Sequence, residues 1–447
     1  MNYLIGLDIG TSSVKGVLVR EDGKEKLTAT ESFLYRSGAD GSVEIDAEQY
    51  IAVCFALLRR LSVALPADGK LCGICAASAG GNLLLLDADG QPCTPIFNWQ
   101  DRRVTDEASS LLAGLDTQGY YETTGWPFDF QTFPLAMLCW LKCHFPQTLA
   151  QCGKVCMSTE YFYYRLTGKW GISTSAGTPF YLIDQRRGAY AEPMLKRLGI
   201  AKDKLPPIGN TGDILGNVTA ASAERCGIPA GTPVMLGTFD HPSAARGAGI
   251  LEEGQMLLSC GTSWVGFYPV SSRDKAIANH MLTDPFLSPE GCWAGMVSLP
   301  SVSGGIKRYI QRYITDGENL FEAFAEAAAQ SETGAGGLLL NPMQEPDDSL
   351  VKGYSKAHIA RAVMEGTVRL LREQLTQIQQ SGICVKSAVM TGGPSGTPLW
   401  IEVIEEMLGI EVRVVHAAYA GAIGAAGVAG IGAGIYKDEA TAYEALQ

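Results

Sequence analysis

The sequence predicts an α/β protein of two domains that repeat one another, and three observations carry that prediction. The chain opens with hairpin-connected apolar runs. A helical stretch and further strands follow. The unit strand, Gly-Thr-Ser, strand at residues 3–19 then returns at residues 256–270. At 447 residues the chain is long enough for two ordinary cores.

Each element has a local reason. Tyr3–Asp8 is an apolar run ending in an acid, Gly10-Thr11-Ser12-Ser13 a turn, and Val14–Val19 the return strand; Asp22-Gly23 turns again into Glu25–Phe33. Asp46 is placed to cap a helix, with Gln49 three residues on and Tyr50, Val53, Leu57, Leu58 and Leu61 at helical spacing. Leu71–Cys75 and Leu83–Asp87 read as strands, the latter closed by Asp89-Gly90. Residues 99–231 are rich in helix and loop, punctuated by Pro206-Pro207 and Pro229-Ala230-Gly231. Val234–Gly237 is a short strand leading into Thr238-Phe239-Asp240-His241. Met256–Cys260, Gly261-Thr262-Ser263 and Trp264–Val270 form the second hairpin. The boundary is expected near residues 247–254, giving domains 1–248 and 249–447.

Composition narrows the function. Hydrophobic residues make up 46% and charged residues 18%, a globular balance. A net charge of -12 without any Lys/Arg run argues against nucleic-acid and anionic-membrane partners. The twelve cysteines include Cys72-x-x-Cys75, Cys139-x-x-x-Cys143 and Cys152-x-x-x-Cys156, but no histidine stands at metal-finger spacing. They are expected as buried thiols, and with no signal peptide they point to a reducing cytoplasm. The uncharged segment Ala417–Tyr436 is mostly Ala and Gly, which contribute little transfer energy. It is expected as a buried helix and turn packed through small residues, not as a membrane span.

Four motifs suggest chemistry. Either Gly-Thr-Ser turn alone would be an ordinary hairpin, but two of them can offer amides and hydroxyls to a triphosphate from both sides. Asp8, ending its strand beside the first turn, can hold Mg²⁺ or simply cap the turn. Thr391-Gly392-Gly393-Pro394 ends an apolar strand where a flat ring could approach the backbone, or it is a strand-to-helix turn. Asp240 is placed as the N-cap of a helix whose positive end would keep it ionised. There it can accept a proton from a substrate hydroxyl.

In order and spacing these motifs resemble the FGGY family of carbohydrate kinases, which includes xylulokinases, glycerol kinases and L-fuculose kinases. The resemblance rests on Gly6-Leu7-Asp8-Ile9-Gly10-Thr11-Ser12-Ser13, Trp99-Gln100-Asp101-Arg102-Arg103, Gly237-Thr238-Phe239-Asp240, Gly261-Thr262-Ser263, and Gly392-Gly393 through Pro398-Leu399-Trp400. It is reinforced by Glu160–Gly168, His358–Gly366 and Ala420–Ala426.

The resemblance implies two actin-like, ribonuclease-H-like domains with a cleft between them. Residues 1–248 would carry the sugar site and the catalytic acid, residues 249–447 the nucleotide site. It implies ATP and Mg²⁺ as cofactors and a small sugar (ketose or deoxyketose) or polyol as substrate, with a homodimer left open. By matching position Asp240 is the catalytic base and Asp8 the magnesium-associated acid. Thr11, Ser12, Ser13, Gly261 and Thr262 are phosphate contacts, and Gly304, Gly392 and Gly393 line the nucleotide. Trp99, Asp101 and Arg103, with Asp240, bind sugar.

The chain departs from its resemblance at Ala77–Asn82, where neither the xylulokinase nor the glycerol kinase pattern stands, and at Met343–Asp348, Met137, Pro394 and Gly396. The alternative is an actin-like nucleotide-dependent switch or chaperone-type ATPase. It would give Trp99, Asp101 and Arg103 no role and would leave Asp240 to position water.

Overall fold

The computed structural model describes every residue but Phe130, Pro289 and His416. It contains two compact units, one formed by residues 1–251, 282–291 and 419–447, the other by residues 252–281 and 292–418.

The first unit is built on a mixed sheet. Strands β1 (Asn2–Ile9), β2 (Ser13–Arg20) and β3 (Lys26–Ser32) form the expected antiparallel meander. Strand β4 (Lys70–Ser78) joins β1 in parallel. Strand β5 (Ile214–Asn217) pairs antiparallel with β6 (Pro233–Met235), which runs parallel to β4, so the order is β5-β6-β4-β1-β2-β3. A strand's side chains alternate between its two faces, and β1 obeys this. Tyr3, Ile5, Leu7 and Ile9 enter one core with Tyr50, Leu57, Leu58 and Leu61 of the helix Ala47–Val63, while Leu4 enters another core. That helix starts as expected: the Asp46 carboxylate accepts the Gln49 N–H at 2.9 Å.

The opposite face of the sheet is covered by the helix Ala420–Gly432, the Ala/Gly segment singled out in the sequence. Its composition follows from how closely backbones approach there. A Cβ on Gly6 of β1 would lie 1.8 Å from the Ala422 carbonyl, and one on Gly424 would lie 1.9 Å from the Ser243 carbonyl. Leucine or phenylalanine in this interface would push the helix off both neighbours. No helix among the described residues is long and apolar enough to cross a membrane.

The second unit repeats the connectivity. Strands β7 (Gln255–Cys260), β8 (Trp264–Val270) and β9 (Trp293–Leu299) are successively antiparallel, and β10 (Ser387–Gly392) and β11 (Glu411–Val414) extend β7 in parallel. The order β9-β8-β7-β10-β11 thus matches β3-β2-β1-β4-β6 of the first unit, strand for strand and in pairing sense. The duplication expected from the two Gly-Thr-Ser turns is therefore a duplication of topology. The helix Lys356–Gln380 packs on this sheet, buries Ile359, Val363, Val368 and Leu371, and is capped by Ser355.

The close-packed glycines give a direct test. Gly424→Val should lower stability by several kcal/mol or prevent folding, because its Cβ meets backbone that cannot move aside. A Cβ on Gly427 makes only ordinary contact, with the nearest atom at 3.4 Å. Gly427→Ala should therefore be neutral or stabilise by up to about 1 kcal/mol. Urea unfolding of both variants reads the difference; equal effects would contradict the packing described.

Candidate active site

Strands β1, β4 and β6 run parallel, so their carboxyl ends lie along one edge, where ligands of open α/β sheets characteristically bind. Asp8 sits at the end of β1, in register with Lys15 of β2 and Ala77 of β4. Ser78 bridges to Phe239, which places the start of the Asp240–Ala248 helix at the same edge. Tyr163 secures this approach from the helix Ser158–Thr167. Its hydroxyl donates to the Ala76 carbonyl at 3.0 Å and accepts the Gly237 N–H at 2.9 Å.

Asp240 differs from expectation in two respects. The cap position falls on Phe239, so Asp240 is the first helical residue, its carboxylate accepting the next N–H, of His241, at 2.7 Å. A carboxylate there still profits from the helix end, but burial dominates: Asp240 is raised above the ordinary carboxylate range, and His241 only partly offsets this. Asp8 is pushed up further, to about 7, first by burial and then by the charge of Asp240, with Lys15 opposing. Both residues keep partial solvent exposure, so they stand in a recess and not in a sealed core. Asp8 thus lies in the field of both Asp240 and Lys15, and carboxylates are hard oxygen donors suited to a magnesium ion.

Trp99 is tied to the turn that follows Asp8. Its indole Nε1 donates to Thr11 Oγ1 at 2.9 Å, and its backbone N–H to Asn82 Oδ1 at 3.1 Å. The ring stacks on Phe133 at 6.1 Å between centroids. Phe133, Trp126, Tyr181 and Phe239 continue the aromatic wall, with Trp126 edge-on to the other three at 5.4–5.9 Å. Phe133 and Tyr181 hold left-handed backbone, at φ 67° and 61°, a strained state that non-glycine residues keep where the surroundings enforce it. The Ala77–Asn82 segment, where the sequence departs from its resemblance, makes room for the wall. A Cβ on Gly80 would meet the Pro179 ring at 2.2 Å, and one on Gly81 the Phe133 ring at 2.6 Å.

Asp101 and Arg103 are committed to each other. Asp101 is buried, its Oδ2 accepting from Val43 N at 2.9 Å and from Arg103 Nη2 at 2.7 Å. Arg103 also pairs with Glu44 at 2.5 Å and lies over the Phe97 and Trp140 rings. Together they fix the loop that presents Trp99. Ser175 and Asp284 are groups that sequence reasoning missed. Ser175 Oγ donates to Asp284 Oδ2 at 2.8 Å and accepts the Phe239 N–H at 3.3 Å, with burial raising Asp284 to about 6. Nothing in the local sequence marks them. The aromatic density of residues 126–133 was visible but carried no pattern.

The second unit gathers its own expected residues. The Gly261–Ser263 turn is closed by Gly261 N–H to the Ser263 carbonyl at 3.1 Å, and Gly261 and Thr262 are exposed. Ser303 ties this turn to the helix Val302–Tyr309 that carries Gly304: its N–H donates to the Thr262 carbonyl at 3.2 Å and its hydroxyl to the Gly261 carbonyl at 2.7 Å. Gly392 ends β10 opposite Cys260. Its left-handed φ of 96° and the Cys260 carbonyl, 2.2 Å from where a Cβ would lie, both require glycine. Gly393 is exposed, with open space where a side chain would be.

This architecture has relatives. Residues 3–247 match the model of the FGGY family of carbohydrate kinases, N-terminal domain, and residues 256–433 that of its C-terminal domain. The L-xylulose/3-keto-L-gulonate kinase of Escherichia coli K12 is 27% identical over 462 residues, covering 100% of this chain and 91% of the relative. The autoinducer-2 kinase of Klebsiella pneumoniae is 25% identical, covering 100% and 88%. The crystal structure of xylulose kinase from Rhodospirillum rubrum superposes with a TM-score of 0.87 at 26% identity, over 96% of this chain and 90% of that one. The chain belongs to the FGGY family of carbohydrate kinases and has the family's two-domain actin-like fold. It is accordingly an ATP-dependent phosphotransferase acting on a sugar, and the comparisons lend nothing to the alternative of a nucleotide-driven switch.

The raised pKa of Asp8 makes a prediction about stability. An acid that titrates higher in the folded state holds its proton there after the unfolded chain has lost it, so stability falls as pH rises from about 4, the unfolded value, to about 7. Asp8→Asn removes this dependence. Without ligands the variant should melt above the wild type at pH 8, and the advantage should vanish by pH 4. A constant offset across that range would show that Asp8 is not perturbed.

Proposed function

We propose that the first unit holds the sugar with Asp240 as general base and Asp8 as the magnesium-associated acid. The single observation behind this reading is the pair of half-buried carboxylates at the ends of the parallel strands, beside an aromatic wall. The reacting sugar hydroxyl would attack the terminal phosphorus of ATP, its proton passing to the Asp240 carboxylate as ADP leaves. Burial raises the basicity of Asp240 and brings it nearer the pH at which a base works best. Bound Mg²⁺ would neutralise phosphate charge, and Asp8 would hold it.

Trp99 presents an apolar face to the sugar's C–H groups. Thr11, while accepting from Trp99, keeps its own hydroxyl proton to donate. Asp101 and Arg103 serve the sugar by positioning Trp99, a role that suits their mutual ion pair better than direct contact. Thr11, Ser12, Ser13, Gly261, Thr262 and Gly304 are proposed for the nucleotide phosphates and Gly392 and Gly393 for the adenosine, where the exposed, side-chain-free Gly393 supports the reading. The names of the relatives make L-xylulose, 3-keto-L-gulonate, xylulose and autoinducer-2 the first substrates to try. The twelve free cysteines suit a reducing cytoplasm, where we place the enzyme.

Coupled ADP release over a panel of ketoses, ketoaldonates and polyols tests the activity. Asp240→Asn should lower kcat by roughly 10²-fold or more and leave nucleotide affinity unchanged; a variant keeping a tenth of wild-type turnover would remove Asp240 as base. Trp99→Ala should raise the sugar KM about tenfold, equivalent to about 1.4 kcal/mol, with the KM for ATP unchanged. An unaltered sugar KM would place Trp99 outside the site.

A further inference from the structure

Beyond the aromatic wall the first unit opens into a recess of about 520 Å³, lined by Arg102, Phe128, Asp129, Gln131, Phe133 and Tyr181 among others. It continues the sugar-side wall, because Phe133 stacks on Trp99 and touches Tyr181 at 5.8 Å. Its polar groups are unequal. Asp129 is satisfied internally: Oδ1 accepts the N–H groups of Gln131 and Thr132, at 2.7 and 3.0 Å, and Oδ2 the Thr132 hydroxyl at 2.5 Å. Arg102 is different. Its flanking residues Asp101 and Arg103 turn inward into their ion pair, while Arg102 is exposed and its guanidinium enters no ion pair or hydrogen bond among the described residues. Its backbone is nonetheless fixed. The Arg102 N–H donates to the Gly41 carbonyl at 2.9 Å, and a side chain at Gly41 would press on Arg102 at 3.2 Å. The side-chain amide of Gln131 is likewise exposed and without a partner among the described residues.

A planar guanidinium held at the mouth of a recess, with the neighbouring carboxylate already occupied, is suited to bidentate binding of a carboxylate. We propose that Arg102 selects acidic sugars: the substrate carries a terminal carboxylate that Arg102 engages in this recess, with Gln131 as a second donor, while the opposite end of the sugar presents its hydroxyl to Asp240. This specificity rests on the kinase reading of the same site.

Two pairs of compounds that differ only in a terminal carboxylate test it: 5-keto-D-gluconate against L-sorbose, and D-gluconate against D-sorbitol. ADP release with the intact enzyme should show the acidic member of at least one pair used with a kcat/KM at least tenfold above its neutral partner. Arg102→Met should reduce that preference to threefold or less by lowering kcat/KM for the acid alone, and Arg102→Lys should retain part of it. Neutral sugars used as well as or better than their acidic partners, or a preference for the acid that survives Arg102→Met, would overturn the proposal and leave the kinase reading intact. Absence of phosphorylation across these pairs and the neutral ketoses and polyols together would instead count against the kinase reading. An unchanged melting temperature for Arg102→Met separates lost recognition from lost folding.

Discussion

The constraint on which the rest depends is the burial of two carboxylates, Asp8 and Asp240, at one edge of the sheet, with the charge of Asp240 adding to the effect of burial on Asp8. Carboxylates that share a recess gain affinity for protons and cations, and the fold is arranged so that these two must share one. Asp8 is fixed by the β1–β4 pairing, and Asp240 by the Ser78–Phe239 bridge and the Tyr163 hydroxyl that holds Gly237. The helix Ala420–Gly432 closes over the same edge. A Cβ on Gly421 would lie 2.6 Å from Asp8 Oδ2, so the small residues that let this helix pack also leave room for the carboxylate. The protein thus maintains an electrostatic cost at this edge, the usual relation between local instability and a functional site.

Around the pair the side chains divide the work. Asp101 and Arg103 face inward and make the Trp99 loop rigid. Thr11 and Asn82 hold the indole and its backbone. Ser175 and Asp284 hold the backbone that leads to Asp240. Each contact restrains a group before any ligand arrives, which is how a site limits the entropy lost on binding. Among the described residues the Arg102 side chain has no such tie, and that sets it apart from Asp101 and Arg103.

The fold was legible because its signals are local. Alternating apolar residues in β1, the Asp22-Gly23 turn, the Asp46 cap and the repeated Gly-Thr-Ser hairpin each report on a few consecutive residues. The Ala/Gly helix was legible by exclusion, since too little apolar area remains for a bilayer. The site was legible only in part. Asp8, Trp99 and Asp240 stand in recognisable motifs. Whether Asp240 caps its helix or opens it is decided by one residue of register, and its titration by burial that no sequence window reports. The ion pair of Arg103 with Glu44 is invisible in sequence because Glu44 lies far away along the chain. Ser175, Asp284 and the aromatic wall come from segments joined only by folding.

The measurement closest to the central claim is a pH titration of the carboxyl carbons of ¹³C-labelled aspartate by NMR, with and without magnesium nucleotide. The account predicts one aspartate titrating near pH 7 in the ligand-free enzyme, its signal lost in Asp8→Asn, and moving below pH 5 when the magnesium nucleotide binds. If the signal that Asp8→Asn removes titrates below pH 5 in the free enzyme, or if it ignores the magnesium nucleotide, the two carboxylates do not form the charged centre described; Asp284, raised to about 6 by burial, is a separate signal that this variant leaves in place.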